Sequence, residues 1–507
     1  MSRLPILALL LLPLLPAAAQ EEDHYRLDDA TQLWRHTDNA AGLAIDNSRD
    51  RGYTQLGYDH HEGSLARVQE GNMGNSLTLQ TERYQHVGQY LHAYGRFSFD
   101  YGRTKNRAWA DVRRPYQSNP FIAGSAVSGT YDHQDFDFTA AMGTTSFGPC
   151  RYGLRLDYMV GDLSRLRDPR SRSQLLDYRL TPSATLTLGQ HTAGLTAYYH
   201  RRKEKIGSLT TVQQTPNLQY YLMTGMEHAE GTVGGYTSFG REWVDHRFGA
   251  ALAYALYTDK LNSLTSFTLE RGTEYAYGQY KYEPGRYVSA CYDIDSRHRI
   301  TTAKGLHQID LTASATQAYA DEYHQQLVMQ NDPVHGYTSY HYETTINYRK
   351  RHQLKTTHAN LHYRYSMVHD GIKGYVGMQA TYDDANSKHL LPVSQLHTAT
   401  WDVAAEGGHA LPRLRLWADV RATYHHAAKA YLQLADATTD LARQVLLPDM
   451  PYYEACYWQG RVALTWQFPL TIKKNTATWY VKAYGDYLST DNSLHAASMG
   501  FSVGLFN

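Results

Sequence analysis

From about residue 75 to the end of the chain, apolar and polar side chains alternate one for one. Tyr152, Leu154, Leu156, Tyr158 and Val160 stand on one face, with Arg151, Gly153, Arg155 and Asp157 on the other. Ile309, Leu311, Ala313 and Ala315 oppose Gln308, Asp310, Thr312, Ser314 and Thr316. Ala359, Leu361, Tyr363, Tyr365 and Met367 oppose His358, Asn360, His362, Arg364 and Ser366, and Val462, Leu464, Trp466 and Phe468 oppose Arg461, Ala463, Thr465 and Gln467. Successive side chains of a strand point to opposite faces, whereas a helix would scatter these sets around its circumference. Many stretches hold the pattern for ~9–13 residues; soluble strands average ~5–6 and bilayer-spanning strands need ~9–11. The pattern therefore predicts long strands with one apolar and one polar surface.

The first nineteen residues have a different character. Arg3 precedes the short apolar run Leu4–Leu15, interrupted by Pro5 and Pro13, and Ala17-Ala18-Ala19 supplies small residues for cleavage before Gln20. That is the form of a secretory signal peptide. Beyond it no apolar run reaches the ~18 residues that a spanning helix requires, so a membrane could be crossed only by a closed barrel. Composition agrees: 43 Tyr against 12 Phe and 8 Trp, and 19% charged residues. Amphipathic aromatics serve interfacial girdles, and a polar lumen averages against an apolar outer band, giving a mean hydropathy of −0.55. Lys+Arg and Asp+Glu balance at 49 each, so no net field points to nucleic acid.

The expected fold is all-β: a transmembrane antiparallel up-and-down barrel of roughly 16–18 strands, an even number favouring closure. Residues 53–507 would form it, after a signal peptide at 1–19 and an N-terminal arm or partial plug at 20–52, which lacks alternation. Met499, Phe501, Val503 and Leu505 make an apolar stripe suited to a closing strand, with Phe506 out of phase. Trp243, Tyr254, Tyr257, Trp479, Tyr484 and Tyr487, near segment ends, are expected in the girdles. Tight connections are expected at Asp132–Asp135, Gly148-Pro149, Leu188–His191 and Asp370-Gly371, and longer irregular stretches near 105–120, 162–174, 321–337, 384–396 and 427–451.

Motifs for chemistry are sparse. Cys150, Cys291 and Cys456 are odd in number and far apart, which suits neither a disulfide framework nor a Cys-x-x-Cys metal site. The pairs His60-His61 and His425-His426 point to opposite faces of a strand. His358 and His362 share a face, but i and i+4 along a strand lie ~13 Å apart, too far for one metal ion; with Arg364 they fit a polar lumen lining. The strongest charge cluster is Arg165, Arg167, Asp168, Arg170 and Arg172. Guanidinium groups so close can fork onto phosphate or carboxylate, or stand as a solvated loop neutralised by Asp168. With Arg151 and Arg155 inward on the preceding strand, and Arg179 on the next, an anion-selecting constriction is conceivable. No catalytic motif is present, so the chain is expected not to be an enzyme and to need no cofactor or metal.

Gly57-Tyr58, Glu62-Gly63, Glu70-Gly71, Pro120-Phe121-Ile122-Ala123, Arg167-Asp168-Pro169-Arg170 and Leu176-Asp177 carry a resemblance. The chain resembles, chiefly over residues 50–200, an uncharacterised family of Bacteroidetes outer-membrane β-barrels known only as a domain of unknown function. Ser171 and Ser173 stand where that family usually has Pro and Asn. The resemblance implies a Gram-negative outer-membrane barrel, with members often encoded beside TonB-dependent receptors. Three readings of function follow. The first is a passive or accessory transporter for a small solute, in contact with outer-membrane lipid. The second is a structural or docking component partnered by a TonB-dependent receptor or surface lipoprotein, and the third an outer-membrane hydrolase. Lumen occupancy separates the first two, since transport needs a wet path and docking does not.

Overall fold

The structure is a computed structural model that describes residues 20–506, apart from 117–118, 213–217, 234–239, 279–280, 332 and 473–474. The expected signal peptide lies outside the described residues. Eighteen antiparallel strands pair in chain order and the last closes on the first, so the sheet has no free edge. The strands are Arg51–Gly63, Met73–Val87, Leu91–Arg107, Gly129–Thr144, Cys150–Arg165, Arg170–Leu188, His191–Thr210, Arg241–Tyr257 and Leu261–Gly278. They continue as Gly285–Thr302, Gly305–Asn331, Thr338–Val368, Ile372–His389, Ser394–Leu411, Leu416–Gln433, Tyr457–Ile472, Asn475–Thr490 and His495–Phe506. Closure sets Leu56 opposite Val503 and Tyr58 opposite Phe501.

Alternation decides which side chains look out. Leu56, Leu79, Phe136, Tyr152, Leu195, Phe267, Ile294, Leu361, Val403 and Val462 are all exposed on the outer surface. Neighbours across the strands continue them into one belt, as Leu195–Leu252–Phe267–Ile294 shows. A strand of ~17 residues tilted by ~40° climbs ~43 Å, enough to clear an apolar band ~25 Å tall with polar ends to spare. Exposed apolar surface on this scale is costly in water and is what a bilayer covers.

The two ends differ. At the end where residues 51 and 506 lie, connections are short, as at 189–190, 258–260, 303–304 and 369–371. The opposite end carries the described residues of 108–128, 211–240 and 434–456, and a hairpin in which Gly305–Asn331 and Thr338–Val368 run on beyond their neighbours. Short turns on one side and long loops on the other are the usual asymmetry of outer-membrane barrels.

Several local expectations need correction. Asp132–Asp135 is no turn but lies inside Gly129–Thr144. Its polar residues pair across strands instead, Asp132 with Arg103 and His133 with Asp100. Around 162–174 the break is only residues 166–169, and around 321–337 the strand continues to Asn331. The aromatic set divides: Tyr254 and Tyr487 face out, but Trp243 is buried within, Tyr257 packs beside Trp34 and Leu33, and Tyr484 donates to Asp59 inside. Tyr254 and Tyr257 are separated by an odd interval, so one strand cannot show both on the same face. Phe506 is out of phase because its ring turns inward, 5.4 Å from Tyr25 and 5.0 Å from Tyr480.

Replacing outward Leu361 by Arg is expected to cost ~2–4 kcal/mol near the midplane. His358→Arg, on the inner face opposite Asp383, places a guanidinium beside that carboxylate and is expected to be tolerated. Denaturant titration of the two variants in micelles measures the difference, and equal tolerance contradicts the assignment of faces.

Candidate functional site: the lumen and its two closures

Residues 25–46 sit inside the barrel at the short-turn end. The segment runs through a helix, Gln20–Thr31, two single turns, Trp34–His36 and Ala40–Gly42, and a last helical turn, Leu43–Asp46. Trp34 and Leu33 are fully buried against Ala255 and Leu264. The wall makes room with glycines on its polar face. A Cβ at Gly143 or Gly153 would run into the backbone of Ala40 or Ala41, and one at Gly194 into the Trp34 ring. Asn39 donates to Ala184 O, Leu195 O and Thr196 Oγ1 at 3.1–3.3 Å. Asp38 pairs with Arg179 at 2.7 Å and Arg155 at 3.5 Å. Tyr25 donates to Glu82, Arg299 donates to Ala30 O, and Arg26 stacks on Trp417. Contacts thus reach strands all round the wall.

At the long-loop end the closure has a different chemistry. Trp109, Phe121, Ile122, Ala123, Tyr220 and Tyr221, from the loops, form an apolar core with Trp243, Tyr287 and Ala318 of the wall. Ala123–Gly124, Gln219–Gly225 and His228–Val233 make a small sheet there. Trp243 Nε1 donates to Phe121 O at 2.6 Å, and Asp449 accepts from Val68 N and Tyr116, each at 2.8 Å. Burial raises the Asp449 carboxyl above its usual range, against the pull of those two donors. Beneath this lid is a chamber of about 290 Å³ between Met223, His352, Leu396 and Asp449.

The wall between is dense in paired charge. Arg247 meets Asp245 and Glu270, Arg297 meets Asp295, and Arg299 meets Asp310. Glu406 gathers His362 at 3.0 Å, Arg364 at 2.5 Å and Arg421 at 3.4 Å.

The arginines singled out from the sequence are not brought together. Arg151 donates to Thr187 near the short turns, and Arg155 reaches Asp157 and Asp38. Arg165 is buried ten residues further along the same strand, on Tyr131 and Val127 O. Ten residues of strand is ~33 Å, so the cluster and the inward pair lie at opposite ends. Arg167 donates to Ser128 O, Arg170 pairs with Asp168, and Arg172 pairs with Asp162. Asp168 also accepts from Val212 N. The group therefore braces a loop base. His358 pairs with Asp383, apart from the network of His362 and Arg364. Asp100, His133 and Asp135 set one possible metal-ligand atom each within 4.8 Å of one another. Their carboxylates already have donors: Arg113 lies on Asp135, and Thr78 and His133 on Asp100. Sequence reasoning missed Trp34, Asp38, Asn39 and Glu406. The signal for the first three was Gly143, Gly153 and Gly194, small residues on the lumen face of nearby strands.

Residues 40–507 match a family of unknown function, DUF6850. The chain belongs to that family. No curated protein matches it. Solved structures similar to this member include the copper transporter OprC, at 9% identity and a TM-score of 0.40, over 90% of this chain and 80% of that one. The outer membrane transporter YddB from Escherichia coli follows at 11% and 0.39, over 89% and 80%. A Pseudomonas aeruginosa FadL homologue gives 10% and 0.33, over 93% and 92%. At such identities no residue role passes from them to this family member.

Asp46 couples the seated segment to pH. Burial raises its carboxyl from 3.8 to about 7, outweighing the Arg35 backbone N–H at 2.7 Å. The folded pKa lies above the unfolded one, so the seated form holds a proton that the released form gives up. Seating is strongest near pH 4 and below, and weakens as pH rises to about 7. Protease nicking of residues 25–46 should accelerate across that interval, and Asp46→Asn should flatten the profile.

Proposed function

We propose that this barrel works in a Gram-negative outer membrane as a gated conduit for a small solute, with residues 25–46 as the gate. The observation that carries this reading is the seating of that segment. It touches wall strands from Met73–Val87 round to Leu416–Gln433, through hydrogen bonds and ion pairs that water can replace and through the stacking of Arg26 on Trp417 and the burial of Trp34. An unpaired charge in a lumen is a strong selectivity element. Here the luminal arginines Arg155, Arg247, Arg297, Arg299 and Arg364 each face a carboxylate, which favours a polar solute without strong preference for anions. Conduction requires no covalent step, so the reading is non-enzymatic and needs no cofactor. An energised partner at the short-turn end, of the TonB-dependent kind that the resemblance implies, would draw the segment out. The leader at 1–19 would deliver the chain there.

The extended hairpin favours a second role, docking to a partner at the long-loop end. Leu327, Met329, Val334, Tyr337, Tyr340 and Ile346 stand exposed along it, beyond the level at which neighbouring strands have ended. A receptor or surface lipoprotein would cover such a surface. Shortening the hairpin to a tight turn at its base should leave heat-modifiable migration intact while abolishing co-purification of that partner.

Planar-bilayer recording tests the main reading. The intact barrel is expected to be closed, and a barrel lacking residues 20–46 to open in brief events set by the remaining lid, with weak ion preference. Equal conductance with and without the segment would overturn the gate.

A further inference from the structure

On the outer face of the wall, strands from Arg241–Tyr257 to Thr338–Val368 carry a depression of about 850 Å³. It lies at the border of the apolar belt nearest the long loops. Register orders it into rows. The lower row is apolar, with Ala250, Leu269, Tyr292 and Ala315 side by side. In the next row Arg271 and Lys355 flank Ala290 and Gln317. Three strand spacings separate the two cations, ~14 Å across the wall. Above Gln317, Tyr319 is capped by Lys350, whose ammonium stands 5.0 Å from the ring centre. A break in register after Ala320, with Lys350 at φ 52° and its N–H on Asp321, turns that side chain outward. The alanines supply the hollow, because Phe248 and Tyr292 beside them are large.

Arg271, Lys350 and Lys355 are exposed, and among the described residues none makes an ion pair. The one carboxylate lining the depression, Glu270, points inward to Arg247 and Tyr198. Asp321 nearby is already paired with Arg286. Three unneutralised cations around a hollow, over an apolar row, describe a phosphate above an acyl chain. Guanidinium and ammonium groups bind phosphate oxygens strongly, and a cation at the membrane border avoids the cost of one deeper in.

We propose that this depression binds the phosphate headgroup of a membrane lipid, Arg271, Lys350 and Lys355 holding the phosphate and one acyl chain lying along Ala250, Leu269 and Tyr292. The inference rests on the reading that the barrel spans a membrane. Native mass spectrometry of the full chain, released from micelles containing either phosphatidylglycerol or phosphatidylcholine, measures it. The unaltered protein is expected to retain phosphatidylglycerol in preference to phosphatidylcholine. Arg271→Gln with Lys350→Gln and Lys355→Gln should reduce retention at least fivefold, and each single change by less. Lys429→Gln, which removes an exposed lysine from a distant strand, should leave it unaltered. Heat-modifiable migration reports that each variant has assembled, and the single variants carry the test if the triple one does not. Equal retention of both lipids, or an undiminished triple variant, overturns the site and leaves the membrane barrel standing. A protein that stays monodisperse without detergent overturns the membrane reading itself.

Discussion

A peptide group facing hydrocarbon has no water to bond, so every N–H and C=O in the wall must find a partner within the chain. Eighteen strands meet that demand by closing, His495–Phe506 on Arg51–Gly63. Once the sheet is closed it has an inside and an outside, and strand phase assigns every side chain to one of them. Leu361 and His362 are neighbours in sequence, yet one meets the surroundings of the barrel and the other meets Glu406. The belt, the luminal charges and the seats for the N-terminal segment all follow from that single assignment.

The inside then has its own constraint. A charge drawn into a confined, partly dehydrated space must be paired or it costs several kcal/mol. The chain carries 49 basic and 49 acidic residues, and the wall uses them in opposed sets. Asp38 shows the same rule acting across elements: on the inserted segment it stands between Arg155 and Arg179, two cations from different strands. Removing the segment would leave those guanidiniums facing each other with one carboxylate fewer. The segment is therefore part of the lumen's charge balance as well as its steric filling.

How much of this could be read beforehand depended on whether the information was local. Period-two alternation is local, so the barrel, its outward residues and a strand number near eighteen were legible. The turn residues at Gly148 and Gly189, with φ near +60°, were legible for the same reason. Asp132–Asp135 misled because luminal strands use the same Asp, His and Gln that turns use; only the partner strand, with Arg103 and Asp100, tells them apart. The arginine cluster misled through proximity in sequence, since a long strand carries Arg155 and Arg165 to opposite ends of the wall. The folded loops were beyond reach, because Trp109, Tyr221 and Leu441 meet only after three distant connections converge.

The two closures differ in what opening them would require. The lid buries Trp109, Phe121, Tyr220 and Trp243 in one continuous apolar core, and lifting it would expose them together, at roughly 1.5–3 kcal/mol for each large side chain. The N-terminal segment has smaller apolar anchors in three places, Trp34 with Leu33, Ala30 beside Trp417, and Ala40 and Leu43 beside Tyr84; its polar contacts with the wall include the hydrogen bonds of Asn39 and Arg299 and the ion pairs of Asp38 and Arg35. Water replaces polar contacts at a net cost of about 0.5–1.5 kcal/mol each, and they can be released in sequence rather than at once. The lid must move as a body, while the segment runs directly into the wall at Arg51. Opening of this barrel would accordingly begin at the short-turn end, with the lid as the slower and more specific barrier.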